Sequence, residues 1–126
     1  MKKIRTKTEE IAIDNHGIVH KTIIENSHIG IDEVKEAEDA CAKLAGKDKY
    51  IVLVDANALH TMTPEAAEEL KNNLDSKRIA TAVVSDKLGI RILFSYLVKR
   101  ENAIAPIALF QDKEEAINWL LQLKTN

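Results

Sequence analysis

Hydrophobic and polar residues alternate over two segments near the start of the chain. Ile11 and Ile13 fall on one face of a strand predicted over residues 7–14, and a second strand is predicted over residues 18–24. Between them, Asn15-His16-Gly17 supplies residue types that turns favour. The pattern therefore predicts an N-terminal β-hairpin.

A helical period of three to four residues follows the hairpin. Asp32 is the predicted N-cap of this helix and Gly46 its predicted end, since these residue types favour those positions. The apolar stripe between them comprises Val34, Ala37, Cys41, Leu44 and Ala45. Because Cys41 lies on this stripe, we expect it to be a buried core thiol rather than a reactive one.

The rest of the chain alternates short apolar runs with helical patterns. Residues 50–54, 79–84 and 107–110 are predicted as buried strands. Helices are predicted to begin at Thr63-Pro64-Glu65, at Ser85 or Asp86 (running to about Arg100), and at a capping box of Asp112 and Glu115. Their inner faces are expected at Ala67, Leu70 and Leu74 and, in the last helix, at Ala116, Ile117, Leu120 and Leu123.

The elements follow the order β-β-α-β-α-β-α-β-α over residues 1–126, without a repeat or a linker that would divide the chain. A helix joins each later strand to the next, which favours parallel pairing, whereas the hairpin must be antiparallel. We therefore expect a single α/β domain with a mixed sheet and helices packed on it.

Composition and charge narrow the classes of function. The net charge of −2, from 18 basic and 20 acidic residues, offers no attraction for nucleic acid, and only 4% of residues are aromatic. No apolar run is long enough for membrane insertion, and the charged start of the chain does not resemble a secretory signal. We expect a cytoplasmic protein that binds neither nucleic acid nor the membrane interior.

Polar residues cluster where the predicted strands end, at the edge where α/β sheets bind ligands. They are Asp55, Asn57, His60, Thr61, Thr63 and Ser85. An aspartate, a histidine and a serine could suggest a hydrolase, but the chain has no Gly-x-Ser-x-Gly elbow. Helix capping explains Thr63 and Ser85, and a solvated loop explains His60. We therefore expect no catalysis and interpret this edge as a loop that faces a partner.

The remaining residue types suggest neither a metal nor a cofactor. The four histidines are His16, His20, His28 and His60, and no pair of them has the helical His-x-x-x-His context of a metal site, since His16 and His20 lie in the predicted hairpin. The four glycines are isolated, so they cannot form a phosphate-binding loop.

The third predicted helix is more apolar than one core requires. Its polar residues Arg91, Ser95 and Lys99 form one narrow stripe. At about 100° per residue, the apolar arc spans roughly 240°. Three interpretations remain open: a subunit interface that includes Leu88, Ile92 and Tyr96, a groove for an apolar ligand, or deeper burial within the monomer.

With this order of elements, the chain resembles the STAS (anti-sigma-factor-antagonist-like) superfamily, whose relatives include the CRAL-TRIO lipid-transfer fold. More narrowly, it resembles small uncharacterised bacterial STAS-like proteins. The resemblance runs from about Ile11 to the end of the chain. It rests on Ile51-Val52-Leu53-Val54-Asp55 through Thr63-Pro64-Glu65-Ala66-Ala67, on Ile79 to Ser85, and on Pro106 to Phe110 with Glu115 to Leu120.

The resemblance implies a regulatory interaction module without an enzymatic activity. Anti-sigma antagonists carry a phosphorylated serine at the start of the helix after the central strand, where this chain has Thr63-Pro64. The usual phosphoserine switch is therefore not expected, and Thr61 or Thr63 is the possible substitute. We expect a self-associating module with a regulatory protein partner; the alternative is a small carrier of an apolar, lipid-like ligand.

Overall fold

The computed structural model describes residues 2–73, 75–98 and 105–125, and only the backbone of residues 93 and 96–98. Its strands are β1 (Lys3–Arg5), β2 (Glu9–Ile13), β3 (Ile18–Ile23), β4 (Ser27–Ile29), β5 (Tyr50–Asp55), β6 (His60–Met62), β7 (Arg78–Val84) and β8 (Ile107–Phe110). Its helices are α1 (Ile31–Ala45), α2 (Pro64–Asn72), α3 (Leu88–Val98) and α4 (Lys113–Thr125).

Six strands form one mixed sheet in the order β1-β2-β3-β5-β7-β8. The β1-β2 and β2-β3 pairs are antiparallel, and β3, β5, β7 and β8 are parallel. Each parallel connection carries a helix, as right-handed crossovers require. The predicted α/β class, the N-terminal hairpin and the parallel later strands are thus confirmed.

Three short strands were not predicted. β1 extends the hairpin at the sheet edge, and β4 and β6 pair with each other in parallel, with Ser27 opposite His60 and Ile29 opposite Met62. Each has three residues, which is too short for an alternating pattern to stand out. The observed order is therefore β-β-β-β-α-β-β-α-β-α-β-α.

The helix starts follow local capping chemistry. Thr63 caps α2, because its Oγ1 accepts a hydrogen bond from the Ala66 amide at 3.1 Å, with Pro64 at the first helical position. The predicted cap of α1 was wrong: the N-cap is Gly30, whose amide donates to the Glu33 carboxylate at 2.8 Å. Asp32 lies inside the first turn, where a carboxylate favours the positive end of the helix.

Both faces of the sheet are covered. The strand order advances in one direction from β3 to β8, so right-handed crossovers place α1, α2 and α3 on the same face. Their core includes Val34, Ala66, Ile90 and Phe94. On the opposite face, Ala116 and Leu120 of α4 pack with Ile18, Leu53 and Val84. Leu74 and Arg100, which were predicted to lie in α2 and at the end of α3, are outside the described residues.

Candidate functional site

The carboxyl ends of β3, β5, β7 and β8 and the starts of the four helices define one end of the molecule, which we call the carboxyl edge. Asp55 ends β5, and its Oδ1 accepts hydrogen bonds from the amide and the side chain of Asn57, both at 3.1 Å. Asn57 Oδ1 in turn accepts from the Asp86 amide at 3.0 Å. These bonds tie the loop after β5 to the loop after β7.

Two of the predicted partner-facing residues do not face solvent. Ser85 is fully buried, and its Oγ accepts from the Lys87 amide at 3.1 Å at the entry to α3. His60 is also buried, on β6, with its Nδ1 2.7 Å from the Ala58 carbonyl oxygen and its ring 6.1 Å from that of Phe94. Because α3 begins at Leu88, Ser85 makes a turn hydrogen bond before the helix, and the predicted cap at Ser85 or Asp86 was wrong. The buried Ser85 and His60 side chains therefore do not belong to the expected partner-facing set.

The two threonines lie on the same edge and have different environments. Thr61 is exposed on β6, and its Oγ1 is 2.7 Å from Nδ1 of His28 on β4. Thr63 is exposed too, but its hydroxyl is already engaged in capping α2. Of the six predicted residues, Asp55, Asn57, Thr61 and Thr63 remain at the surface.

The carboxyl edge also carries the most exposed large apolar side chains among those that the structure describes. Leu59, in the loop before β6, is 61% exposed, and Leu88 and Ile92 of α3 are 69% and 62% exposed. Leu88 and Ile92 are four residues apart and share one face of the helix. We call these three residues the apolar rim. Ile31, at the start of α1, is the next most exposed, at 39%.

The two rim residues of α3, Leu88 and Ile92, lie on the outer side of a helix whose inner side reaches the core. Ile90 and Phe94 are buried, so α3 divides its apolar residues between the core and solvent. Deeper burial within the monomer is thus the wrong interpretation for Leu88 and Ile92. The side chain of Tyr96, the third residue of the predicted interface, lies outside the described part of the structure.

A second notable arrangement lies inside the protein and was not predicted. Glu38 of α1 contacts two buried cations: Arg78 Nη2 at 2.6 Å and Lys21 Nζ at 3.2 Å. Lys21 also lies 3.5 Å from Glu9 Oε1. Glu9, Lys21 and Arg78 are each at most 5% exposed. We call these four residues the ionic cluster, and it holds equal numbers of positive and negative charges.

A β-bulge brings Arg78 into the cluster. Tyr50 pairs with Arg78 and Ile51 pairs with Ala80, so Ile79 is an extra residue in β7. In a regular strand, Arg78 would share a face with Ala80 and point toward α4. With the bulge it shares a face with Thr81, whose Oγ1 accepts from Arg78 Nη1 at 2.8 Å.

The cluster favours the charged forms of its members. Burial disfavours the Lys21 ammonium, but the Glu9 and Glu38 carboxylates outweigh burial and raise its pKa. Burial likewise opposes ionisation of Glu38, but Lys21 and Arg78 prevail and lower its pKa. Cys41 lies close enough to feel these charges, yet burial dominates and raises its pKa to about 11. The predicted core thiol is therefore confirmed as buried, and it is protonated at neutral pH.

A sequence signal for the cluster exists. In β3, Lys21 occupies the inward position between Val19 and Ile23, where the period of two predicts an apolar residue. In α1, Glu38 lies on the stripe between Val34 and Cys41. Charged residues at core positions are costly unless paired, so opposite charges at two such positions predict a buried pair.

A cavity of about 40 Å³ adjoins the cluster, between the sheet and helices α1 to α3. Among the described residues that line it, Glu9, Lys21, Arg78 and Thr81 are polar and the others are apolar. Pockets for drug-sized ligands usually measure about 300–1,000 Å³. The cavity is therefore far too small for a lipid chain.

The described residues contain neither a group of metal ligands nor a membrane-spanning helix. No set of three or more histidine, cysteine, aspartate or glutamate side chains there is placed to hold a metal ion. None of the helices described has the length and apolar character needed to cross a bilayer.

Comparison with known proteins gives a family and a fold. The family model described as a domain of unknown function (DUF7793) matches residues 11–124. Among solved structures, the chain is similar to an uncharacterized protein of the DUF3478 family from Shewanella loihica PV-4, which has a SpoIIAA-like fold. The TM-score is 0.52 at 12% identity, over 94% of this chain and 90% of that one. This likeness shows the fold and confirms the predicted STAS-like architecture. No curated protein matches the chain.

Proposed function

This chain belongs to the DUF7793 family, and we propose that it is a non-enzymatic, STAS-like interaction module that associates with itself through the apolar rim. A regulatory protein partner would use the neighbouring polar surface of the carboxyl edge. The single observation that carries the proposal is the exposure of Leu59, Leu88 and Ile92 at this end of the molecule.

Single exposed leucine or isoleucine side chains are common on protein surfaces. A group of them at one end of a domain is typical of an interaction surface. Leu88 and Ile92 are adjacent on α3. The Asn57–Asp86 hydrogen bond joins the loop that carries Leu59 to the residues that precede Leu88. The rim therefore rests on connected backbone rather than on independent loops, which lowers the entropy lost on association.

Structural roles of the polar residues support a function other than catalysis. The Thr63 hydroxyl caps α2, the Ser85 hydroxyl holds the turn before α3, and Asp55 and Asn57 hold two loops together. The Asp55 carboxylate, the Ser85 hydroxyl and Nδ1 of His60 thus each have a local structural partner. Turnover on a broad substrate panel that disappears in Asp55→Ala and His60→Ala variants would contradict the non-enzymatic proposal.

The self-association proposal is tested by the molar mass in solution. We expect the wild type to show a dimer or larger oligomer by light scattering coupled to gel filtration. Leu88→Glu and Ile92→Glu should each shift the mass toward the monomer, because burying an unpaired carboxylate in an interface is costly. Gln122→Glu is the matched control, since it adds the same charge at an exposed position of α4, on the other face of the sheet.

Two results would contradict self-association through the apolar rim. A wild type that is monomeric over the whole accessible concentration range would overturn self-association. So would an oligomer that persists in both rim variants. Circular dichroism of each variant shows whether the fold is retained, so that loss of the oligomer is not confused with unfolding.

A carrier of an apolar ligand is the second candidate, and the cavity is the observation that supports it. The volume of about 40 Å³ restricts that function to ligands much smaller than a lipid. Native mass spectrometry distinguishes the two functions, because a small-molecule adduct on a monomeric protein would favour the carrier, whereas an oligomer without an adduct would favour the interaction module.

A further inference from the structure

We propose that the cavity beside the ionic cluster binds a small, uncharged, mostly apolar molecule that carries one hydrogen-bond-accepting oxygen. The oxygen would accept a hydrogen bond from Nε of Arg78. This inference concerns the interior of the protein and stands independently of self-association at the apolar rim.

The donor is a buried guanidinium with one unused group. Arg78 is 5% exposed and lines the cavity. Its Nη1 donates to Thr81 at 2.8 Å and its Nη2 to Glu38 at 2.6 Å. Its Nε is buried and has no hydrogen-bond partner among the residues that the structure describes. Buried donors are almost always satisfied, so this N–H calls for an acceptor, and the residue that carries it lines the cavity.

The side chains that line the cavity indicate the chemistry of the rest of the ligand. Apart from the four polar residues, the described residues that line the cavity are apolar, including Val54, Val83 and Phe94. Water needs two to four polar partners to occupy a cavity favourably, and the apolar lining residues offer it none. A molecule with an oxygen at the polar lining residues and methyl or methylene groups elsewhere matches the lining better than several waters do.

The charge balance indicates an uncharged ligand. Lys21 and Arg78 are already matched by Glu9 and Glu38, at distances of 2.6–3.5 Å. An anion in the cavity would gain from the two cations but would also be repelled by two carboxylates. It would lose its hydration without an unmatched cation to compensate, so a neutral ketone, alcohol or amide is favoured.

The volume of the cavity limits the size of the ligand. About 10–15 Å³ accommodates one water-sized probe, so about 40 Å³ corresponds to roughly three such positions. Acetone fits this description, with one carbonyl oxygen and two methyl groups. Acetate has the same planar shape and differs chiefly in its charge, so the two probes form a matched pair.

The test is a titration of the full chain with each probe, followed by the arginine Nε–H resonances in ¹H–¹⁵N NMR spectra. Arg78→Lys identifies the Arg78 resonance by its loss. We expect acetone to shift that resonance saturably, and acetate to bind at least about tenfold more weakly. A non-saturable response to acetone, as expected for a cavity that holds water alone, would overturn the proposal. Equal binding of acetate would do the same.

Variants with larger side chains in the cavity lining provide a second test of the site. Val54→Ile and Val83→Ile, singly and together, each add one methylene to the cavity wall and should abolish the acetone-induced shift. Val84→Ile is the matched control: the same change in β7, on the face that packs with α4, should leave the shift intact. A shift that survives filling would place acetone elsewhere and refute the site. The acetone and acetate arms on the wild type remain decisive even where a filled variant does not fold.

Discussion

Glu38 is the residue that links the two buried cations. Its two carboxylate oxygens serve different partners, Arg78 through one and Lys21 through the other. The Arg78 guanidinium carbon Cζ also lies over the Tyr50 ring, 5.1 Å from the ring centroid. The Tyr50 hydroxyl donates a hydrogen bond to the Asp75 carboxylate at 3.0 Å. Such clusters contribute little net stability as a whole, because desolvation offsets attraction, but loss of one member leaves the others uncompensated.

We therefore expect Glu38→Gln to destabilise the protein by about 3 kcal/mol, measured by urea unfolding, since two buried cations would lose their shared carboxylate. Glu36→Gln is the control, because Glu36 is exposed on the same helix and the glutamine oxygen can still accept from the Lys7 amide. It should change the free energy of unfolding by less than about 0.5 kcal/mol. Similar costs for both variants would show that the cluster is not a coupled unit.

Asp14 makes stability depend on pH at the hairpin turn. Its carboxylate lies 2.8 Å from His20 Nε2 and accepts from the His16 and Ile18 amides at 2.8 and 3.0 Å. Burial alone would raise its pKa, but these hydrogen bonds and the attraction of His20 lower it below the ordinary value of 3.8. Asp14 therefore binds a proton more readily in the unfolded state than in the folded state. Its stabilising effect is fully present above its pKa in the unfolded state and is lost as the pH falls through its lower pKa in the folded state.

The corresponding prediction compares wild type with Asp14→Asn in urea unfolding from pH 7 to pH 2. The difference in unfolding free energy should be constant above about pH 5 and should shrink as pH falls through about 4 and below. A difference that grows on acidification would contradict the assignment of the lowered pKa to Asp14.

At the scale of elements, the boundaries follow side chains that satisfy helix ends. α2 has nine residues, so its start contributes a large share of its stability. Thr63 provides the cap and Pro64 the fixed backbone angle of the first helical position. Residue patterns alone predicted this start, because a cap and its helix are separated by only a few positions.

Thr63→Ala should reduce stability by about 1 kcal/mol, because the Ala66 amide loses its acceptor. Thr61→Ala is a matched control with the same chemical change two residues earlier, at an exposed hydroxyl that contacts His28. We expect an effect of less than about 0.5 kcal/mol there by thermal or urea unfolding. If Thr61→Ala proved the more damaging, the capping role assigned to Thr63 would be wrong.

The whole molecule is asymmetric, because three helices cover one face of the sheet and, within the described residues, α4 alone covers the other. Leu120 is fully buried between α4 and the sheet. Leu120→Ala should cost about 2–5 kcal/mol in unfolding free energy, through lost burial and a cavity that no second helix can fill. Leu123→Ala on the same helix, at a half-buried position, should cost roughly 1 kcal/mol.

The order of the major elements was predictable because each depends on local patterns. Alternation marked β2 and β3, continuous apolar runs marked β5 and β7, and Thr63-Pro64 marked the start of α2. The short strands β4 and β6 were not predictable, since neither stands without the other and they are separated by α1 and β5. The prediction that Ser85 and His60 face a partner was wrong for a related reason, because their burial depends on neighbours that are distant in sequence.

The sequence by itself determined the α/β class, the hairpin, the STAS-like order of helices and the excess apolar surface of α3, because all of these follow from residue types within a few positions of one another. Tertiary structure alone decided which apolar residues of α3 face solvent and how Arg78 turns toward Glu38. It also decided that a cavity remains beside them. These features depend on strand register, a bulge and the approach of residues up to 40 positions apart, and such contacts exist only once the chain has folded.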